Sequence, residues 1–353
     1  MKNFYSTLFA FLALLCSLET RAQEAVSDTT RRDKEYANPS VEGTSRGKFL
    51  ILKYQRFFNY DFNSKAADPA KLPIGNANAV VDKSNIAEIK GFIPLWNRPH
   101  FKVVMGVGYE REEYHFESPD TTTYLYHKNL EDKGLKSLST QFAFIHPINY
   151  KNYFVWRVKG QLNGDYTSDE LNFSDYLKVT GEVMYGWKKS KYFSWGIGAQ
   201  AGYTFGRFSI YPAILYNRTF NERWGVEAIF PANIKMRYTP FTDKTFFYFG
   251  YELDGYSYNI KVNKYPFSES PVFSNIKTLE LRHNDVKFHG RWEQEIYDFL
   301  WFGFEGGYRL NIAYDAFESG TNRDVTLIET DAGGAPYVEA SLFFVVPRAF
   351  LKR

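Results

Sequence analysis

The chain carries one cysteine, Cys16, in 353 residues. Cys16 lies in a leader expected to be removed, so the mature chain has no cysteine. That excludes disulfide stapling and cysteine-based zinc or redox chemistry. Net charge is also scarce: 43 basic against 40 acidic residues leave +3. So weak a balance gives no reason to expect nucleic acid or an electrostatic membrane anchor. Past the leader there is no run of 18 or more apolar residues, and mean hydropathy is −0.41. A helical membrane protein is thereby excluded. A barrel is not, because half of each barrel strand faces water.

Groupings that would carry chemistry are missing too. None of the six histidines, His100, His115, His127, His146, His283 and His289, has a partner at metal-ligand spacing. His283 and His289 share a strand face but stand about 20 Å apart by strand rise. Neighbours within His283-Asn284-Asp285 point to opposite faces, and no serine accompanies them. Glu182 and Glu305 have no fixed separation that would make them an acid/base pair. Gly196, Gly198, Gly202 and Gly206 are evenly spaced along a strand, not set at a strand-to-helix turn, so they form no phosphate cradle. No metal, no cofactor and no enzymatic activity is expected.

Aromatic residues are abundant: 27 Tyr, 33 Phe and 7 Trp, or 19% of the chain. Phe193 to Phe205, FSWGIGAQAGYTF, shows how they are used. Phe193, Trp195, Ile197, Ala199, Ala201, Tyr203 and Phe205 alternate with Ser194, Gly196, Gly198, Gln200, Gly202 and Thr204. An unbroken period of two is a β-strand. Its apolar face has aromatics at both ends and small aliphatic residues between, as a bilayer with two interfaces requires. Trp195 and Tyr203 are about 27 Å apart at ~3.4 Å per residue. A tilt of about 40° turns that into roughly 20 Å of depth, near the ~25 Å apolar band of an outer-membrane barrel.

Lys2, the apolar run Leu8 to Leu18 and Thr20-Arg21-Ala22 read as a secretory signal over 1–22. Residues 23–46 are polar and aperiodic, and read as a flexible periplasmic tail. From 47 to 353 the alternation recurs, with clean copies at Trp224 to Tyr238 and Phe302 to Tyr314. Asn152, Lys189 and Glu222 mark short turns. Asp254-Gly255 reads as a hairpin turn. Phe49 to Tyr60 and Ile276 to Trp292 alternate poorly. Long connections are expected at Asp61 to Ser84, Glu117 to Lys136, Asn263 to Asn275 and Ala316 to Gly334. Barrels of this type carry an even number of strands, with short turns at one end and long loops at the other. The reading is all-β: a single transmembrane antiparallel barrel of about 14 strands, or 12 if Asp254-Gly255 is only a bulge.

The inner faces collect charges of both signs: Arg157, Lys159, Lys178, Glu182, Glu227, Lys235, Arg237, Glu305 and Arg309, together with Glu252 and Glu339. These are the candidate lumen-lining residues. Near-balanced signs argue against strong ion selectivity. Two uses stay open: a lumen that passes or binds a small solute, and a salt-bridged lumen that fills itself while the loops act at the surface. A barrel-embedded lipid enzyme is a third and weaker reading. YPAILYNRTFNERWGVEAIFPANIKMRY, YFGYELDGYSYNI, TLELRHNDVKFHGRW and FLWFGFEGGYRLNI resemble a family of Gram-negative outer-membrane β-barrel proteins of unassigned function. The resemblance runs from Phe49 onward and implies the barrel fold and the outer membrane. Its lipid and the barrel-insertion machinery are then the partners, with a small solute as a third. It brings no catalytic residues. The chain ends Phe350-Leu351-Lys352-Arg353, not in an aromatic, which places the expected insertion signal at Phe344.

Overall fold

A computed structural model describes residues 36–69, 76–117, 125–167, 172–205, 207–261, 278–319 and 325–351. The expected signal and most of the expected tail lie outside them. The strands are β1 (Lys48–Ala66), β2 (Asn76–Arg98), β3 (Phe101–Phe116), β4 (Leu135–Pro147), β5 (Asn152–Gly164), β6 (Leu177–Ser190), β7 (Phe193–Phe205), β8 (Arg207–Thr219), β9 (Trp224–Phe230), β10 (Asn233–Tyr238), β11 (Thr245–Lys261), β12 (Thr278–Tyr297), β13 (Leu300–Glu318), β14 (Thr326–Ala332) and β15 (Ala335–Val345). Among the described residues there are also three helices: α1 (Leu125–Lys133), α2 (Phe173–Tyr176) and, after the last strand, α3 (Arg348–Leu351). Each strand pairs antiparallel with its neighbour in the chain, and β1 meets β14 and β15 to close the ring. β14 and β15 both lie between β13 and β1 and are two parts of one strand, broken at Gly333-Gly334. The wall is therefore a closed barrel of 14 antiparallel strands.

Two local expectations need correcting, and they cancel in the count. Trp224 to Tyr238 is not one strand but the hairpin β9–β10, turning at Pro231-Ala232. Alternation could not reveal this. Ala228 pairs with Ile234, Glu227 with Lys235 and Val226 with Met236, so even faces even and odd faces odd. Such a turn leaves the face pattern unchanged from one arm to the other. Asp254-Gly255 is not a turn. β11 runs through it in unbroken register with β12, from Thr245↔Gln294 to Lys261↔Thr278.

The outer surface is an apolar girdle. Ile89, Val107, Val158, Ile197, Phe249, Phe304 and Ile312 are all exposed on it. The girdle fails on β11 above Leu253. There the outward series Phe247, Phe249, Tyr251, Leu253 gives way to Gly255, Ser257, Asn259. Polar groups facing lipid would have no hydrogen-bond partner, and this half of β11 instead leans across the lumen. Asn259 pairs parallel with Gly164 of β5, although five strands separate β5 and β11 in the wall. Asn163 donates to the Ser257 carbonyl at 3.2 Å, and the Lys261 amide donates to Asp165 at 3.1 Å. β12 follows: Lys178 of β6 reaches Glu280 at 2.8 Å. This stretch of β12 has protein on both faces, so the poor alternation around Arg282 to Asp285 has a physical cause.

The pinch encloses an apolar core at the end of the barrel that carries the longer connections. Phe57, Tyr60, Phe62, Tyr114, Phe116, Tyr258, Ile260, Leu279, Leu281 and Tyr314 pack there with Tyr126 and Leu130 of α1. Phe62 is fully buried, with the rings of Tyr114, Phe116, His127 and Tyr314 around it at 4.9–6.4 Å.

Candidate functional site

Below that core the inner face changes from aromatic to charged. Arg309 marks the boundary, its guanidinium 4.3 Å from the Tyr60 ring and 4.6 Å from Phe57. Beneath it lie two adjoining compartments of about 390 and 320 Å³. Lys90, Glu252, Asp254 and Tyr256 border both.

Arg157, Lys159 and Glu182 line the larger compartment, and Glu227, Lys235 and Glu305 the smaller. Arg237 is buried in the wall beneath, 3.4 Å from Glu227. Lys178 and Arg309 belong to the upper margin, where Arg309 faces Asp285 at 3.9 Å. Glu252 lies 3.5 Å from Lys235, and Glu339 lies 2.8 Å from Arg291.

Several of the most connected groups fall on β1 and β12, whose alternation reads poorly, and on β2. Arg291 holds three carboxylates: Glu293 at 2.8 Å, Glu305 at 3.3 Å and Glu339 at 2.8 Å. Lys53 joins Glu88 at 3.0 Å and Glu339 at 3.6 Å. Lys287 meets Asp254 at 2.8 Å, and Lys48 meets Glu293 at 2.6 Å. Their signal was readable in part. Lys287, His289, Arg291 and Glu293 of β12 pair in register with Arg309, Gly307, Glu305 and Gly303 of β13. In β1 the inward residues are Ile51, Lys53, Gln55 and Phe57, then Tyr60 and Phe62. That change of parity is what spoils the pattern.

Further elements stand at both ends of the chamber. At the loop end, α1 sets His127 into the aromatic core, stacked on Phe116 at 5.1 Å and 2.8 Å from the Ser64 hydroxyl. Burial pushes the His127 imidazole down to about 4, so it is neutral at pH 7. At the other end, residues 36–46, within the stretch expected to be a polar tail, run along the inner rim. The Ala37 amide donates to Asn149 at 3.1 Å, Asn217 donates to Pro39 at 2.9 Å, and the Glu42 amide donates to Lys191 at 2.8 Å. Gly43 takes a φ of 86°, which a side chain would resist, and packs under the Arg237 guanidinium. Arg46 and Arg348 then share Glu295 and Asp298 at 2.7–3.0 Å, tying this strap and α3 to the β12–β13 turn. Ser45 borders the smaller compartment.

On β7, Ser194 is buried and accepts or donates a 2.7 Å hydrogen bond with Tyr153. Tyr153 packs over Gly186. Gln200 reaches the larger compartment. Tyr203, expected at the lipid interface, instead borders that compartment with Lys178 5.4 Å from its ring. Pairing of β6 with β7 stops at Gly181↔Ala201, and this frees Tyr203 to turn inward.

Residues 120–281 match the model of a domain of unknown function (DUF6268). No curated protein matches the chain. Several solved structures are similar. One is the NanC porin, at 6% identity over 84% of this chain and 100% of that chain, with a TM-score of 0.33. A second is the P. putida toluene transporter TodX, at 8% identity over 85% and 90%, with a TM-score of 0.34. A third is the outer membrane protease OmpT from Escherichia coli, at 8% identity over 87% and 100%, with a TM-score of 0.29.

Proposed function

We propose that this protein is an exported outer-membrane barrel that takes a small hydrophilic solute into a chamber in the middle of its lumen and passes it on passively. The observation that carries this reading is the pair of adjoining charged compartments, about 390 and 320 Å³. They lie between an apolar cap and a strap along the opposite rim. A barrel that only needed to be solid would fill that volume with side chains, as its loop end does. In this arrangement the termini face the periplasm and α1 faces outward. The girdle meets lipid, and chain insertion depends on the barrel-insertion machinery. Passage requires the cap to move, so the described state is a closed one.

The aromatic core at the loop end favours a second reading, in which the lumen stays shut and the external loops recognise a surface. Single-channel recording in planar bilayers separates the two. The wild type is expected to be mostly closed with brief openings, and Phe62→Ala is expected to give frequent, stable steps. Silence from both proteins, each shown to be folded, would overturn passage and leave surface recognition. A permanently open wild-type pore would overturn the closed chamber.

A further inference from the structure

Charges around the larger compartment balance in number, but their pairing does not. Arg157 faces Glu182 at 2.8 Å, and Lys90 contacts Glu88. Across the chamber, Glu252 has Lys235 at 3.5 Å and Asp254 has Lys287 at 2.8 Å. Lys159 borders the same space, and no carboxylate among the described residues lies within ion-pair distance of it, Glu110 and Glu88 attracting it only from farther off. An ammonium in a confined space whose counter-charges stand beyond contact is incompletely compensated. It is relieved by an anion that enters from outside.

The surroundings of Lys159 fit an anion that also carries hydroxyl groups. Its partners in the ladder are Gln141 on β4 and Thr180 on β6. Both line the compartment with it, beside Ser139 and Gln161. These side chains donate and accept, but carry no charge. The volume of about 390 Å³ lies at the small end of ligand sites. We propose that this compartment binds a small hydroxylated monocarboxylate, whose charge is met by Lys159 and whose hydroxyls are met by the flanking amides and alcohols. The proposal rests on the chamber being a solute site and adds the class of solute.

The test is calorimetric titration of the folded full chain in low-chloride buffer with gluconate, glucose and glucosamine. These probes share a six-carbon polyol body and differ in charge. Gluconate is expected to bind at least tenfold more tightly than glucose, and glucosamine more weakly than glucose. Lys159→Gln is expected to bring gluconate down to the level of glucose, and Lys159→Arg to keep the preference. Folding of each variant is checked by heat-modifiable gel mobility. Equal binding of gluconate and glucose, or a preference that survives Lys159→Gln, overturns the anion site while leaving a solute chamber in place. Failure of gluconate to bind, with chloride alone saturating the site, also overturns it. Failure of all three probes together with silent bilayers overturns the chamber as well.

Discussion

The two halves of the lumen are built from the same wall by opposite means. The loop-end half is packed with rings: Phe62, Tyr114 and Tyr314 interlock, and the Tyr314 hydroxyl donates to Tyr114 at 2.8 Å. The middle is held open by pairs such as Arg157–Glu182 and Lys235–Glu252. Rings bury area without directional demands and pack to the density of a protein interior. Charged side chains must keep partners and solvent, so they stand along the wall and leave space between them. In the proposed function, closure belongs to the aromatic half and selectivity to the charged half. A change in one is expected to leave the other largely intact.

The largest effect is expected in the cap. Phe62→Ala removes a fully buried ring and is expected to destabilise the protein by about 3–5 kcal/mol, read from the denaturant midpoint in lipid. Gluconate affinity at the chamber should change less than twofold, and a larger change would break the division. The next effect is pH-dependent. The His127 pKa is about 4 in the docked cap against 6.5 for the free side chain. The released segment therefore takes up a proton first as pH falls. Docking is expected to be flat above pH 6.5, to weaken between 6.5 and 4, and to lose roughly 3 kcal/mol in total. Hydrogen exchange across α1 measures this. A pH dependence retained by His127→Gln would assign it to another group. The smallest effect is expected in the chamber, where the Arg157 side chain is 40% exposed. Arg157→Gln should shift stability by less than about 1 kcal/mol, because water screens the pair. A loss comparable with that of Phe62→Ala would show that the charged half also holds the barrel shut.

Legibility of the sequence followed the faces of the strands. Where a strand has the apolar girdle on one side and the lumen on the other, as in β7 and β13, alternation was clean and the boundaries were close to those observed. β13 spans Leu300–Glu318, around the clean run Phe302 to Tyr314. Where a strand leaves the wall, the pattern lost its meaning. The Asp254-Gly255 pair suggested a turn, but it marks the place where β11 dives inward in unbroken register with β12. The lumen charges on β5 and β6 were visible for the same reason that β7 was. Arg291, Lys287 and Lys53 were legible only in part, because β12 is covered on both faces near its upper half and β1 changes parity after Phe57.

By itself, the sequence determined an apolar outer girdle and a polar inner face, since each is a one-dimensional pattern repeated along most of the strands, while the even count came from a general rule for such barrels. Tertiary structure alone decided that the wall is pinched, that rings and α1 fill one end, and that among the described residues no carboxylate comes within ion-pair distance of Lys159. Those outcomes depend on which strands meet across the lumen. β11 reaches β5 over a separation of 95 residues, from Gly164 to Asn259, and no local period of two carries that distance.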